Sequence, residues 1–517
     1  MKKEFNITGT CYPAQHYMMD NSKKLSDILE LIERGKYFTI NRPRQYGKTT
    51  SIMQLTDRLR GSDRYFPIQI SFQGIDQAWY DSDIKFASGF VRLLRDKFEF
   101  TNPELFEFLD EQRDTILEMK DLSRIITRLA YRVQEKLVLF IDEVDASSNY
   151  EPFLKLLALF RTKYLDRGQF SERTFHSIVL VGVHDIKSLK FKLRNPEDAQ
   201  FNSPWNIAVD FEVSMSFTPP EILPMLTEFA AAENVEMDAP AVAERLYYHT
   251  SGYPFLVSKL CKNIAEKRAP ESDWTPAGVD AAVRGLLTEN NTNFDSLFKN
   301  LENHPDLRDL VERVLIEGEN IPFNPHNPTL HKGIIYGIFQ RGGTTRIHNR
   351  IYEQLIYNYL ESTLLTQRRT PGNFAYHFTT DDDGLDLPAI LLKFQQFMRE
   401  QHSEKSLDFL EREGRTVFLA YLAPILNGRG YAFREVQTSV EKRLDVIITY
   451  GQHRYIIELK KWYGQKYHER GLEQLADYLE IHGVSEGYLL IFDARQNKEW
   501  RSETMEVAGK RIFGVWV

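Results

Sequence analysis

Five short apolar runs, separated by amphipathic stretches long enough for a helix, constrain the first two hundred residues most: KYFTIN (36–41), YFPIQISF (65–72), KLVLFID (136–142), SIVLVGV (177–183) and NIAVDFEVSM (206–215). Runs that stay apolar instead of alternating suit strands covered on both faces, and helix-length connections make such strands parallel. The expected fold class is α/β, with a parallel sheet between helical layers.

The first run leads directly into RPRQYGKTTSIMQLTDRL, which reads as helical at once. Gly47-Lys48-Thr49 at a strand-to-helix turn is the second half of a phosphate loop. Backbone N–H groups at a helix N-terminus cradle phosphates, the lysine bridges the β and γ oxygens, and the Thr49 hydroxyl holds Mg²⁺. Thr50 completes the ATP-contacting set. The full motif has Gly at the position of Arg42, so the turn Arg42–Tyr46 is where this loop departs from the pattern. The third run ends in Asp142-Glu143, 94 residues after Lys48. An aspartate there can hold Mg²⁺ through water, and the glutamate can polarise the attacking water. Asp145 suits a helix cap. A chance Gly-Lys-Thr and a capping Asp-Glu are each common alone. Both together, each on its expected strand, point to a P-loop ATPase using ATP and Mg²⁺.

With these motifs, FNITGTCYPAQHYMMD, FIDEVD and SGYPFLV make residues 1–360 resemble the AAA-like ATPases near the STAND class of signalling NTPases. The resemblance implies a helical lid in which a Gly-x-Pro lies against adenine; Gly252-Tyr253-Pro254 matches it, placing Pro254 at the base. A break between two helices gives the same letters. It also puts His184 at a sensor-like position and leaves Arg194 as the candidate arginine finger.

At 517 residues the chain is too long for one core, and roughly 150 residues per domain gives about three or four. Composition and spacing divide it into an ATPase core (1–216), a helical lid (217–290), a winged-helix-like segment (291–365), a hinge (366–384) and a last α/β domain (385–517). Thr218, Pro219 and Glu221 form a capping-box pattern that opens the lid. Leu307, Leu310, Val311, Val314 and Leu315 share one helical face of the winged segment. Two cysteines, Cys11 and Cys261, make neither a disulfide framework nor a zinc site, and no apolar run has the length of a membrane span. With MKKEFNITGT lacking a signal-peptide core, a cytoplasmic location is expected.

A formal charge of −8 argues against a chain coated in basic surface, yet residues 431–470 carry eight Lys and Arg against five acids. Within that window Asp445 interrupts LDVII, and Glu458 and Lys460 in YIIELK share one strand face. Two carboxylates on adjacent strands can share Mg²⁺ or Mn²⁺, which acidifies a bound water, while the lysine orients that water. Asp…Glu-x-Lys resembles the PD-(D/E)XK nucleases, and Gln474-Leu475-Ala476-Asp477-Tyr478 resembles the Q-L-x-x-Y motif of recombination nucleases. The resemblance implies a restriction-endonuclease-like domain and a further glutamate, matched by Glu413 with Glu411 as the alternative. An edge-strand salt bridge through Lys460 or Arg443 produces the same letters.

The leading expectation is an ATPase that directs a Mg²⁺-dependent nuclease acting on nucleic acid, DNA before RNA, a pairing that suits defence against mobile elements. The alternative is a nucleotide-switched regulator or scaffold whose nuclease-like domain only binds. No membrane partner is expected; self-association is open.

Overall fold

The computed structural model describes the chain except residues 1, 169–171, 184–203, 268–272, 290, 318–320, 325, 368–377, 379, 381–383, 403–413, 415–416, 420, 423–424, 427–429, 436–444, 451–452, 463, 482, 494 and 496–497; side chains at 316–317, 361–367, 400–402, 430–435, 445, 466 and 481 are likewise not described. Two compact units emerge, one of residues 1–303, 324–341 and 348–351, the other of 304–323, 342–347 and 352–517.

In the first unit four strands, β1 (Phe38–Asn41), β2 (Tyr65–Ser71), β3 (Lys136–Asp142) and β4 (Ser177–Gly182), form an all-parallel sheet in the order β1-β4-β3-β2. Its connections run through α1 (Ser22–Glu33, preceding β1), α2 (Lys48–Arg60), α3 (Asp83–Asp96), α4 (Pro103–Arg113), α5 (Met119–Arg132) and α6 (Glu151–Asp166). Alternate residues explain the unbroken apolar runs. Leu137, Leu139 and Ile141 enter a core with Phe86, Phe90, Ile125 and Phe160, while Val138 and Phe140 are buried on the opposite face. Because all strands run one way, Asn41, Asp142 and Gly182 finish at the same edge of the sheet, where the first loop and the Asp-Glu pair meet.

The fifth expected strand does not form. Residues Pro204–Ile207 make a 3₁₀ turn, and the following chain contributes a single bridge, Phe38 to Val209. Trp205 fills the core instead and donates Nε1–H to Thr39 Oγ1 at 2.9 Å. Beyond it the Phe211 and Val213 carbonyls, which a strand would commit to its neighbour, accept from Arg42.

The lid helices are α7 (Pro219–Glu233), α8 (Ala239–Thr250), α9 (Pro254–Ala265) and α10 (Pro276–Leu286). The expected capping box is present: Glu221 accepts from the Thr218 backbone N–H at 2.8 Å, and its other oxygen holds the buried Lys24 ammonium. Between α8 and α9 the chain turns through Gly252 at φ +70°, with Phe217 so close that an added Cβ would lie 1.9 Å from its carbonyl oxygen. Helices α11 (Thr292–Asn303), α12 (Pro305–Glu312), α13 (Pro328–Ile335) and α14 (Arg350–Gln367) follow. Leu307, Leu310, Val311, Val314 and Leu315 are all buried, as their spacing implied. The expected wing reduces to one bridge, Pro322 to Thr344, closed by Gly342 and Gly343 at positive φ.

The second unit carries a six-stranded mixed sheet: β5 (Gly430–Glu435), β6 (Asp445–Tyr450), β7 (His453–Lys461), β8 (Glu486–Phe492), β9 (Ser502–Val507) and β10 (Lys510–Trp516), in the order β5-β6-β7-β8-β10-β9. The first three form an antiparallel meander; β7, β8 and β10 are parallel. Helix α15 (Leu387–His402), with helical residues among 414–426, covers one face, and α16 (Gln465–Ile481) covers the other through Leu472, Leu475 and Leu479. Strands β9 and β10 were not anticipated; β9 reads SETMEV, a largely exposed edge that turns only Met505 and Val507 toward the core. Most of the expected hinge lies outside the described residues.

Gly252→Ala should destabilise the first unit by about 2–4 kcal/mol, since it combines a left-handed backbone with a clash against main chain. Denaturant unfolding checks this; a change under 0.5 kcal/mol would contradict the described turn.

Candidate functional site

The loop between β1 and α2 is built from inside out. Arg42, standing where the motif has Gly, is buried. Its guanidinium donates to the Asn41 carbonyl at 2.9 Å and the Val213 carbonyl at 2.6 Å, and it lies over the Phe211 ring at 4.9 Å. Burial, with Arg341 near by, lowers its pKa to about 9. The arginine therefore replaces a tight turn with a pin that ties the loop to residues 211–213. Gln45 and Gly47 then adopt left-handed conformations, at φ 58° and 71°, and Lys48 opens α2.

Lys48 is buried, and its ammonium donates to the carbonyls of Arg42 and Pro43 at 2.9 and 2.8 Å. Burial pushes its pKa down, while Glu143, Asp145 and Asp142 pull it back up. Thr49 Oγ1 donates to Asp142 Oδ2 at 2.9 Å. A hydroxyl and a carboxylate converging beside a helix N-terminus are hard-oxygen donors of the kind Mg²⁺ takes, so these residues fit the ion. Glu143, at φ 53°, sits solvent-accessible at the tip of β3; burial around it and the adjacent Asp142 hold its carboxyl above the usual range. That shift makes the carboxylate a better proton acceptor than an ordinary one.

Asp145 does not cap a helix. It accepts from the Val183 N–H at 2.5 Å and packs against Gly182, linking the tips of β3 and β4. Thr50 Oγ1 accepts from the Cys11 N–H at 3.0 Å, so the N-terminal segment is tied to α2. Pro254 begins α9 and, with Phe217, Tyr17, Met18, Gly47 and Thr50, lines a cavity of about 120 Å³ beside the loop. His184 and Arg194 lie outside the described residues.

Sequence reasoning missed a set of clamps on this loop. The Tyr253 hydroxyl donates to the Arg44 carbonyl at 2.6 Å, Asn293 Nδ2 donates to Gln45 Oε1 at 2.8 Å, and the Tyr46 hydroxyl shares a 2.5 Å hydrogen bond with His348 Nε2. Tyrosines and a histidine far apart in sequence carry no local signal. Only Gly252-Tyr253-Pro254 drew attention, and there the middle residue does the holding.

At the C-terminal candidate, position 445 of β6 stands directly opposite Glu458 of β7. Glu458 and Lys460 are both buried and paired at 2.9 Å. The Lys460 ammonium lies against the Cα of Gly471 on α16, where an added Cβ would sit 1.6 Å from it. Gln474 is exposed whereas Tyr478 is buried beside Leu475 and Leu479, so the two do not share an environment. Glu413, Glu411 and Arg443 fall outside the described residues, and the Asp445 side chain is not described.

His348 is half-buried, with Tyr46 and Tyr253 edge-on to its ring, and its pKa falls to about 4 because this partial burial penalises the imidazolium. From the ordinary value of about 6.5 down to 4 the unfolded chain therefore binds the proton that the folded chain refuses. The stabilising contribution is complete above pH 6.5 and is lost as the pH falls, about 2 kcal/mol of it by pH 5. Unfolding at pH 7 and pH 5 should show that loss, and His348→Gln should remove this part of it; an unchanged pH dependence would contradict a ring held neutral in the fold.

A family model described as AAA-like domain matches residues 12–357. Among solved structures, a Walker-type ATPase of Pyrococcus abyssi aligns at 13% identity and TM-score 0.45, over 68% of this chain and 99% of that one. The Aeropyrum pernix ORC1 protein, solved in complex with DNA, aligns at 14% identity and TM-score 0.30 over 68% and 95%. The Thermotoga maritima RuvB Holliday junction branch migration motor aligns at 14% identity and TM-score 0.32 over 68% and 96%. No curated protein matches the sequence. Among the described residues no helix is long and apolar enough to cross a membrane. A family match over two thirds of the chain, resting on a parallel sheet with Lys48, Thr49 and Asp142 at one strand edge, makes this a P-loop ATPase of the AAA-like family.

Proposed function

We propose that the first unit hydrolyses ATP and that its nucleotide state governs metal-dependent cleavage of nucleic acid, DNA before RNA, by the second unit. The observation that carries the ATPase half is the convergence of Lys48, Thr49, Asp142 and Glu143 at one edge of the sheet. Lys48 exchanges its two loop carbonyls for phosphate oxygens. Thr49 and Asp142 are the residues that would hold Mg²⁺, which supplies charge neutralisation at the phosphates when bound. Glu143 orients the attacking water and accepts its proton, and Pro254 bounds the base cavity.

For the cleavage half, the support is the register that sets Asp445 against Glu458, with Lys460 on the face of Glu458, in an antiparallel meander followed by a helix and a parallel strand. Asp445 and Glu458 would hold Mg²⁺ or Mn²⁺, which lowers the pKa of a bound water. Lys460 would orient that water, with Gln474 and Glu413 as the outer members of the set. Defence against mobile elements is a setting that such a coupled pair would serve.

One observation favours a second reading, a nucleotide-switched regulator or scaffold with a binding-only domain. Glu458 and Lys460 are about 95% enclosed and paired with each other, as a structural ion pair would be.

Lys48→Ala should abolish ATP turnover, and Glu143→Gln should stop hydrolysis while leaving nucleotide binding within about threefold. Wild-type turnover in Glu143→Gln would contradict the assigned proton acceptor. For the second unit, Asp445→Asn should lose Mn²⁺ binding in calorimetry and cleavage together, with a thermal midpoint within about 2 °C of wild type. Equal Mn²⁺ binding by both proteins, or a lowered midpoint with no change in any activity, would favour the regulator.

A further inference from the structure

Three neighbouring parallel strands of the second unit stop together. Strand β7 ends at Lys461, β8 at Phe492 and β10 at Trp516, with Lys461 beside Phe492 and Trp516 beside Ile491 in the register. Such carboxyl ends are where open α/β sheets bind ligands. Trp462 extends β7 by one residue, its N–H donating to the Phe492 carbonyl at 3.0 Å, and alternation puts it on the face of Glu458 and Lys460. The rings of Trp462 and Trp516 stand edge to face at 6.3 Å. The imidazole of His468, in the first turn of α16, lies 5.5 Å from the one and 5.3 Å from the other.

This cluster holds three groups that the fold leaves unsatisfied. His468 is only 6% exposed, yet among the described residues its ring makes no hydrogen bond. The Trp516 Nε1–H is buried without an acceptor. The Arg501 guanidinium lies 4.2 Å over the Trp516 ring and 6.0 Å from that of Trp462, and it makes no hydrogen bond or ion pair among the described residues. Its stem is fixed, because its carbonyl accepts from the Trp516 N–H at 3.0 Å and from Gln395 Nε2 at 2.9 Å. Arg495, 5.2 Å over Trp462, is already committed to Asp493 at 2.9 and 2.6 Å. Of the acids whose charge reaches His468, Glu469 accepts from Gln465 at 3.2 Å and Glu503 stands exposed on β9.

Buried polar groups are rarely left without partners, and these three can all donate, so the missing partner is an acceptor. A free guanidinium and an imidazole at the N-terminus of a 17-residue helix suit an anion, phosphate above all. Half-buried Trp462 keeps ring surface on which a base can stack, and cations interleaved with aromatic rings are how proteins hold single strands. An imidazole so enclosed is out of reach of a rigid duplex backbone, whereas a single strand can thread to it.

We propose that Arg501, His468 and Trp462 form a binding site for one nucleotide of a single nucleic-acid strand, Arg501 and His468 taking its phosphate and Trp462 its base. The inference deepens the cleavage reading and rests on it for where the strand leads, which is along the face of β7 to Lys460 and Glu458.

The test uses the full chain in EDTA, so that binding is read without cutting, and follows the anisotropy of a short fluorescein-labelled oligothymidylate. Arg501→Ala and Trp462→Leu should each weaken binding about five- to a hundredfold, His468→Asn about threefold or more, and a duplex of equal length should bind more weakly than the single strand. Arg511→Ala, which removes an exposed charge elsewhere on β10, should change binding less than about twofold. Should Trp462→Leu fail to fold, Arg501→Gln carries the same expectation as Arg501→Ala. Binding within twofold of wild type in Arg501→Ala would overturn the inference, as would equal losses in Arg501→Ala and Arg511→Ala. Displacement of the strand by polyglutamate as readily as by unlabelled oligothymidylate would overturn it in favour of an acidic protein partner. Strand binding that depends on Arg501 in a protein that cuts nothing when Mg²⁺ or Mn²⁺ is restored would sustain the site while the cleavage reading fails.

Discussion

The buried Lys48 ammonium, hydrogen-bonded to two carbonyls of its own loop, is the interaction on which the first unit turns. A lysine charge out of water costs several kcal/mol unless it is coordinated. Here the Arg42 and Pro43 carbonyls coordinate it at 2.9 and 2.8 Å, so the loop closes around its own cation. That closure requires the turn to be held while its end groups stay exchangeable. Arg42 supplies the holding from within, through the 211–213 carbonyls, and Tyr253, Asn293 and His348 supply it from the other side. Phosphate oxygens can then replace carbonyl oxygens at Lys48 without refolding the loop. Preorganisation of this kind is what electrostatic catalysis depends on.

The departure from the motif at Arg42 is consistent with the same economy. A glycine would turn more tightly but would leave residues 211–213 without an anchor. Losing the fifth strand and gaining the arginine pin are two sides of one local solution, since the carbonyls released by the missing ladder are those that the guanidinium takes. Asp145 shows a similar exchange. Its carboxylate joins the tips of β3 and β4, which keeps Asp142 and Glu143 fixed relative to the loop.

Much of this was legible from the sequence because it is written locally. The runs 136–142 and 177–183 are apolar enough to be strands in almost any context, Thr218 and Glu221 announce a helix start, and Gly-Lys-Thr after a strand carries its own chemistry. What was not legible depends on distant partners. Asp210 and Glu212 did not betray that 206–215 would trade ladder bonds for Arg42, since that choice belongs to the tertiary fold. Strand β9 hid because its core-facing side carries only Met505 and Val507, too few apolar residues to read as an alternation. Gln474 and Tyr478 have helical spacing, yet Gln474 is exposed while Tyr478 is buried with Leu475 and Leu479, a difference that spacing does not encode.

In the second unit a single pair carries both readings: Glu458 and Lys460 on one strand, enclosed and facing each other, with Asp445 opposite in the register. A carboxylate held that way is either half of a metal site or half of an ion pair. The central claim, that nucleotide state in the first unit governs cutting by the second, is tested most directly by following cleavage of duplex DNA, single-stranded DNA and RNA by the full chain in Mg²⁺, with and without ATP. The account predicts metal-dependent cleavage of at least one DNA substrate, at a rate that changes at least several-fold when ATP is added. Absence of cleavage on all three substrates, or cleavage at one rate whatever the nucleotide, would contradict it.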